Sequence, residues 1–447
     1  MNFLKIFKLK ENGTNVSTEV FAGITTFMTM AYILVVNPNI LSASGMDKGA
    51  VFTATAIAAF LGSILMALLA NYPFALAPGM GLNAYFAYTV AAEYGWQLAL
   101  LAVFIEGIVF LIFSIFNVRE SIFNSIPKNL KNAVSVGLGL FITFIGLQNA
   151  KIIVSNPSTA ISLGNVKDIS TIISMIGIII TTVLVIKKIK GGLFWGILLT
   201  WFLGIICQLT GLYVVNPEIG QYNLIPQSII SMPPSIKDIN LISAFNSIDF
   251  SIIKIADNII IIVFSFLFVD MFDTIGTLIG VSEKANFLDK DGKLPKIKQA
   301  LLADAIATTA GAVIGTSSTT TFVESASGVA DGGKTGLTST VTSILFLLAL
   351  FFSPIFVSIP TFAVAPALII VGLFMIENIV NVEFKDYTEG LPAFITIVMM
   401  PFAYSIADGV VFGFLSYVFL KVLTGNAKDV SKTMYILAIL FIIKLLI

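Results

Sequence analysis

The chain has no histidine and a single cysteine, Cys207. Without imidazole there is no His proton relay and no His-ligated metal, and one cysteine forms neither an internal disulfide nor a cysteine metal site. Charge is also scarce. Only 11% of the 447 residues are Asp, Glu, Lys or Arg, and 25 bases balance 25 acids. A net charge of zero and the lack of a long basic run argue against a nucleic-acid partner. No nucleophile–base constellation is visible, so an intramembrane enzyme is the least expected reading, and neither a metal nor another cofactor is implied.

What the chain has in abundance is apolar sequence, at 57% hydrophobic residues. Runs such as Ala50–Ala70 are long enough to cross hydrocarbon, and the ~20-residue criterion gives about fourteen spans or half-spans, the first near 17–38. The expected fold class is an all-α polytopic membrane protein. With the N-terminus in the cytoplasm, twenty basic residues fall inside and five (Lys48, Lys151, Lys167, Lys237 and Lys254) outside. That bias favours an even span count and two cytoplasmic termini. The first ten residues lack a small-residue cleavage site and read as a surface amphipathic segment. Thr433–Ile447 is apolar but short for a span, and is expected against the bundle or in the interface.

Two features divide the chain. Ser125-Ile126-Pro127 recurs as Ser358-Ile359-Pro360, and Gly139-Leu140-Phe141 recurs as Gly372-Leu373-Phe374, at one shared offset. An internal duplication then gives residues 1–211 and 255–447 seven spans each, joined by a Pro-containing linker, 212–254. An odd count per copy inverts the second copy, the arrangement common among secondary transporters. Two segments also break the apolar pattern, Ala77-Pro-Gly-Met-Gly-Leu-Asn-Ala84 and Gly315-Thr-Ser-Ser-Thr-Thr-Thr-Phe-Val-Glu-Ser-Ala-Ser-Gly328. Irregular backbone at membrane depth survives only inside protein or beside a cavity, and paired broken spans point to a transporter's central site.

Carboxylates inside a membrane cost roughly 2.5–3.5 kcal/mol each on insertion scales, so they tend to face cavities and act there. Asp270 and Asp273 lie three positions apart on one helix and resist joint ionisation. Glu324 stands at the end of the hydroxyl run Thr316–Thr321, with Thr321 and Phe322 beside it as further contacts for a substrate. Asp304 sits mid-span, divided between a structural and a coupling role. Glu106, with no polar neighbours along the sequence, reads as structural. Asn83 can donate and accept at once, which suits a flat heterocycle carrying N–H and carbonyl groups.

Four stretches in order, Pro78–Phe86, Phe268–Leu278, Gly315–Gly328 and Gly332-Gly-Lys-Thr-Gly-Leu-Thr338, resemble the hypoxanthine/guanine/adenine permease branch of the nucleobase:cation symporter-2 family. The resemblance covers nearly the whole chain. It implies a 7+7 inverted repeat with a core domain from spans 1–4 and 8–11, a gate domain from spans 5–7 and 12–14, and spans 3 and 10 beginning as short strands. It also implies a purine nucleobase as substrate and a homodimer formed through the gate domain in the cell membrane. The buried acids point to a proton as coupling ion, with sodium the weaker alternative because no cluster of carbonyl and carboxylate ligands dedicated to it is visible. Residue by residue, Asp273 matches the acid that holds the base, Asp270 the additional acid of the purine branch, Glu324 the span-10 acid, Asn83 the span-3 amide and Asp304 the span-9 acid tied to activity. Candidates to carry the proton are Asp273, Asp304 and Glu324. Lys334 departs from the family pattern, standing where the signature has Arg; it keeps the charge without bidentate geometry. The rival expectations are a carrier of uracil, xanthine or another small solute on the same fold, and a channel.

Overall fold

The computed structural model describes residues 3–115, 127–216, 221–248, 256–285, 287, 289 and 294–446. Ser125, Ile126 and Lys254 lie outside the described residues. Backbone in hydrocarbon must satisfy its own polar groups, and the apolar runs accordingly become helices. Among the described residues, nine helical segments are long and apolar enough to cross a membrane.

Helix α1 (Val16–Met30) starts at Asn15, whose side chain accepts from the Thr18 amide at 3.0 Å. It continues as α2 (Ile33–Ser42), so the span expected near 17–38 is interrupted. At the interruption the chain tightens to three-residue bonds, Leu34 N–H to Ala31 at 3.1 Å and Val35 N–H to Tyr32 at 3.0 Å, a geometry less favourable than that of an α-helix. Asp47 caps α3 (Lys48–Leu69) by accepting from the Ala50 amide at 2.7 Å. Then come β1 (Leu76–Pro78), α4 (Met80–Ala84), a π-helical stretch over Tyr85–Val90, α5 (Ala91–Tyr94), α6 (Trp96–Ile115) and α7 (Lys128–Asn149). An exposed hairpin of β2 (Ile153–Asn156) and β3 (Ala160–Leu163) follows, which an all-helical reading did not anticipate. Helices α8 (Ile169–Ile186) and α9 (Gly192–Leu209) lead to a connection carrying α10 (Leu241–Ser247).

The remainder comprises α11 (Ala256–Lys284), α12 (Ile297–Ile314), β4 (Thr319–Thr321), α13 (Ser325–Ala330), α14 (Gly336–Ala349), α15 (Ser353–Ser358), α16 (Thr361–Ile376), α17 (Tyr387–Phe402), α18 (Ile406–Leu423) and α19 (Lys432–Leu446). Helix α19 buries Met434, Leu437 and Phe441 and leaves Ile436 and Ile439 exposed. The Phe441 ring meets Phe264 and Phe414, each at 5.4 Å between centroids, so this segment lies against the bundle.

The segment read from sequence as a surface piece and the linker are both partly core. The Phe7 side chain is fully buried, packed with Ala67 and Leu337. Within the linker, Leu224 and Ile239 are buried, Trp201 Nε1 donates to the Leu224 carbonyl at 2.9 Å, and Thr53 donates to the Pro234 carbonyl at 2.9 Å. These buried side chains and backbone bonds tie the linker to the bundle at several points.

Gly139 and Gly372, the leading residues of the repeated Gly-Leu-Phe, face each other where α7 crosses α16. A Cβ on Gly139 would lie 2.6 Å from the Gly372 carbonyl oxygen, and one on Gly372 would lie 2.5 Å from that of Gly139. Close backbone approach through small residues is how membrane helices associate when lipid is as apolar as the helices. Gly139→Leu is therefore expected to destabilise the fold by about 1–3 kcal/mol through overpacking. Fluorescence-detected gel filtration after heating would read this as a lowered melting temperature, and an unchanged melting curve would refute the tight crossing.

Candidate functional site

The two irregular segments meet inside the bundle. Strands β1 and β4 pair antiparallel, with Leu76 opposite Thr321, Ala77 opposite Thr320 and Pro78 opposite Thr319. Flanking bonds extend the pair, Gly79 N–H to the Ser318 carbonyl and Phe322 N–H to the Ala75 carbonyl, both at 3.0 Å. Two strands satisfy only their facing edges, and buried hydroxyls serve the outer ones. Ser63 Oγ accepts from the Leu76 amide at 3.0 Å and donates to the Leu76 carbonyl at 3.2 Å. On the other side Thr308 Oγ1 accepts from the Thr319 amide at 3.1 Å and donates to its carbonyl at 3.0 Å. All six residues from Thr316 to Thr321 are buried, so the hydroxyl run is interior.

Around this pair the structure gathers the acids expected from sequence. Asp273, on α11, accepts from Thr320 Oγ1 at 3.3 Å and lies over Gly79, where a Cβ would sit 3.2 Å from Asp273 Oδ2 and 3.0 Å from Thr320 Oγ1. Glu324, just beyond β4, accepts from the Tyr32 hydroxyl at 2.6 Å on Oε1. Asp273 thus borders β4 at Thr320, and Glu324 follows the end of the same strand by three positions. Asp270 turns elsewhere although it shares a helix face with Asp273. It is fully buried, and Thr274 Oγ1 stands between it and Asp304, 3.0 Å from Asp270 Oδ1 and 2.9 Å from Asp304 Oδ1.

Asn83 is fully buried; its Nδ2 donates to the Pro78 carbonyl at 3.4 Å and its Oδ1 accepts from Ser317. Strand alternation puts Thr321 on the face opposite Thr320, and Thr321 Oγ1 has no hydrogen-bond partner among the described residues. Phe322 is buried with its ring 6.4 Å from that of Tyr32. Glu106, apolar in its sequence surroundings, accepts from Ser318 Oγ at 2.5 Å, a polar neighbour only the tertiary fold supplies.

Several residues escaped the sequence reading. Thr320 was detectable by period-two alternation once β4 was granted, and Thr274 by its position one helical turn from Asp270. Tyr32 gave no signal within Met28-Thr-Met-Ala-Tyr-Ile-Leu34. Glu19 was overlooked near a span end, yet it is fully buried and accepts from the amides of Lys334, Thr335 and Thr338 at 3.0, 3.3 and 3.2 Å and from Thr338 Oγ1 at 2.6 Å. Its carboxylate closes the start of α14 from another helix, satisfying N–H groups that a helix start leaves open. Asn71 Oδ1 takes the Gly336 amide at 2.9 Å. The Gly332–Thr338 motif is thus a backbone clasp, and the Lys334 side chain points away to the Gly13 carbonyl at 3.4 Å.

A bundle of apolar helices enclosing an irregular strand pair ringed by buried acids defines a polytopic membrane transporter. Its fold is similar to the transmembrane domain of a cyanobacterium bicarbonate transporter, BicA, with a TM-score of 0.65 at 15% identity, covering 89% of this chain and 97% of that one. Residues 17–412 match the xanthine/uracil permease model, described as the Permease family, and the chain belongs to that family; it is a carrier and not an enzyme. Among its relatives, adenine permease AdeP of Escherichia coli is 43% identical over 451 residues, covering 99% of this chain and 95% of its own. Guanine/hypoxanthine permease PbuG of Bacillus subtilis is 43% identical over 454 residues, covering 98% of each.

Replacing Glu19 with Gln puts an amide against donors. It is expected to cost about 1.5–3 kcal/mol, the worth of hydrogen bonds to a charged group, while Lys334→Met should stay within ~0.5 kcal/mol as an exposed change. Thermal unfolding in detergent would compare the two, and equal melting temperatures would refute the clasp.

Proposed function

We propose that this chain imports purine nucleobases (hypoxanthine, guanine and adenine) across the cell membrane by proton symport with alternating access. The observation that carries the reading is that Asp273 and Glu324, supplied by different elements, both stand at β4, one against Thr320 and the other just beyond the strand's end. Purine ring N–H groups are the donors such acceptors take, and the relatives AdeP and PbuG are named for adenine and for guanine and hypoxanthine. Asp273 and Glu324 hold the base, Phe322 and Thr321 line the strand end, and Asn83 braces the turn that brings backbone to the substrate. Asp270 belongs to the proton path rather than to direct contact.

Fourteen spans in a 7+7 inverted repeat serve this mechanism, residues 1–211 and 255–447 flanking the linker 212–254. Spans 3 and 10 enter as β1 and β4. The reciprocal contact of Gly139 and Gly372 and the antiparallel strand pair support that two-fold relation. A core from spans 1–4 and 8–11 carries the site past a gate of spans 5–7 and 12–14, with both termini cytoplasmic and dimer contacts on the gate.

Proton coupling is supported by the Asp270–Thr274–Asp304 chain. One hydroxyl has one proton to donate, and here it stands within bonding distance of two buried carboxyl groups. Such a chain balances when one carboxyl carries a proton and donates to the threonine oxygen. A proton bound there and released inward would draw on the membrane potential, roughly 2.3 kcal/mol per charge at ~100 mV.

Uptake of radiolabelled hypoxanthine, guanine, adenine, xanthine and uracil into purine-uptake-deficient cells tests the reading. Saturable purine uptake is expected to collapse with a protonophore, and Asp273→Asn and Glu324→Gln should each lose it by about a hundredfold, as when an acceptor the substrate needs is removed. Unchanged uptake in both variants would sink the site, and uptake confined to uracil or xanthine would move the substrate to the other bases of the fold. Thr274→Val should cut gradient-driven uptake about tenfold while hypoxanthine binding without a gradient is kept. Wild-type coupling in that variant would remove Thr274 from the proton path.

A further inference from the structure

Tyr32 occupies the interruption between α1 and α2, and its side chain is among the largest fully buried in the protein. A phenylalanine would fill the same space, so the hydroxyl is what needs explaining, and a buried tyrosine O–H finds a partner. That partner is Glu324 Oε1 at 2.6 Å, a short hydrogen bond between hydroxyl and carboxyl oxygens. The ring is held independently. It packs on Phe322 at 6.4 Å between centroids with 46° between planes, and Phe322 is tied through its amide to the Ala75 carbonyl beside β1.

We infer that Tyr32 is a positioning residue of the substrate site: its hydroxyl holds one oxygen of Glu324 and leaves the other as the acceptor for a substrate N–H. The inference rests on the reading of Glu324 as a substrate contact. The last torsion of a glutamate is broad and two-fold, so a carboxylate left alone in this pocket would sample orientations. A phenol fixed by ring packing on one side and a tight turn on the other selects one of them. It also supplies a donor that a desolvated carboxylate needs before substrate arrives. The consequence is specificity of a particular kind: an oriented acceptor takes a heterocycle edge offering N–H and rejects one offering carbonyl or N-methyl, because an acceptor facing another acceptor is left unmatched. The break in the first span, otherwise only a poorer helix, is what delivers the hydroxyl to the strand end.

The test compares full-length wild type, Tyr32→Phe and Tyr32→Leu. In uptake assays Tyr32→Phe is expected to raise KM for hypoxanthine about tenfold or more with kcat changed less than about threefold, and to narrow the discrimination against N-methylated hypoxanthines. The pH dependence of KM should shift by about one unit. Wild-type KM, pH profile and discrimination in Tyr32→Phe, with only Tyr32→Leu impaired, would reduce Tyr32 to ring packing and overturn the inference. A substrate-free measurement separates this from failure of the purine reading. In infrared spectra of purified protein carrying ring-labelled tyrosine, one phenol C–O band of the eleven tyrosines should move in Glu324→Gln relative to wild type, and its carboxylate counterpart in Tyr32→Phe. Absence of both shifts overturns the inference even if purines are carried. Their presence without purine uptake leaves the hydroxyl–carboxylate pairing standing and sinks only the choice of substrate. If Tyr32→Phe does not accumulate, the labelled wild-type and Glu324→Gln spectra decide.

Discussion

The structure turns on one obligation: two strands that cross inside an apolar bundle must have every backbone polar group satisfied without water. A lone pair of three-residue strands cannot do this, since each strand has one partner and two edges. Ser63 and Thr308 serve the outer edges at Leu76 and Thr319, each accepting an amide proton and returning its own to the carbonyl of the same residue. With such partners, irregular backbone can stand where a helix would hide its N–H and C=O groups. The site follows from that permission. Gly79 lets Asp273 lie against the turn, and the strand end carries Phe322 and Glu324 to Tyr32.

The few charges in the bundle obey the same economy, each acid being assigned donors. Glu19 gathers three amides and a hydroxyl and acts as a remote helix cap. Glu106 is held by Ser318 behind β4. Asp270 and Asp304 share the Thr274 hydroxyl. Asp273 accepts from Thr320 and Glu324 from Tyr32, so each of these acids meets a hydroxyl.

Much of this was legible in the sequence. Apolar runs of ~20 residues can only become spans, the scarcity of charge made each buried acid conspicuous, and two glycine- and hydroxyl-bearing interruptions marked where the backbone would be irregular. Asp273 and Glu324 emerged from that argument, and in the structure both stand at β4. Partners remained hidden. Asp270 and Asp273 looked like one pair because they share a helix face, yet packing against α12 gives Asp270 to Asp304. Glu106 looked isolated because Ser318 lies 212 positions away. The linker's contacts with the bundle were hidden because its apolar residues are too sparse to show a period.

By itself the sequence determined the class of the protein, the places where a membrane helix could not run on, and which residue types were costly enough to need a purpose, because these follow from transfer energies and local backbone chemistry. Only the tertiary structure decided which hydroxyl meets which carboxylate. Hydrogen bonds are directional and act over about 3 Å, so a partner hundreds of residues distant leaves no local pattern, and Tyr32 became visible only when the break in the first span set it against Glu324.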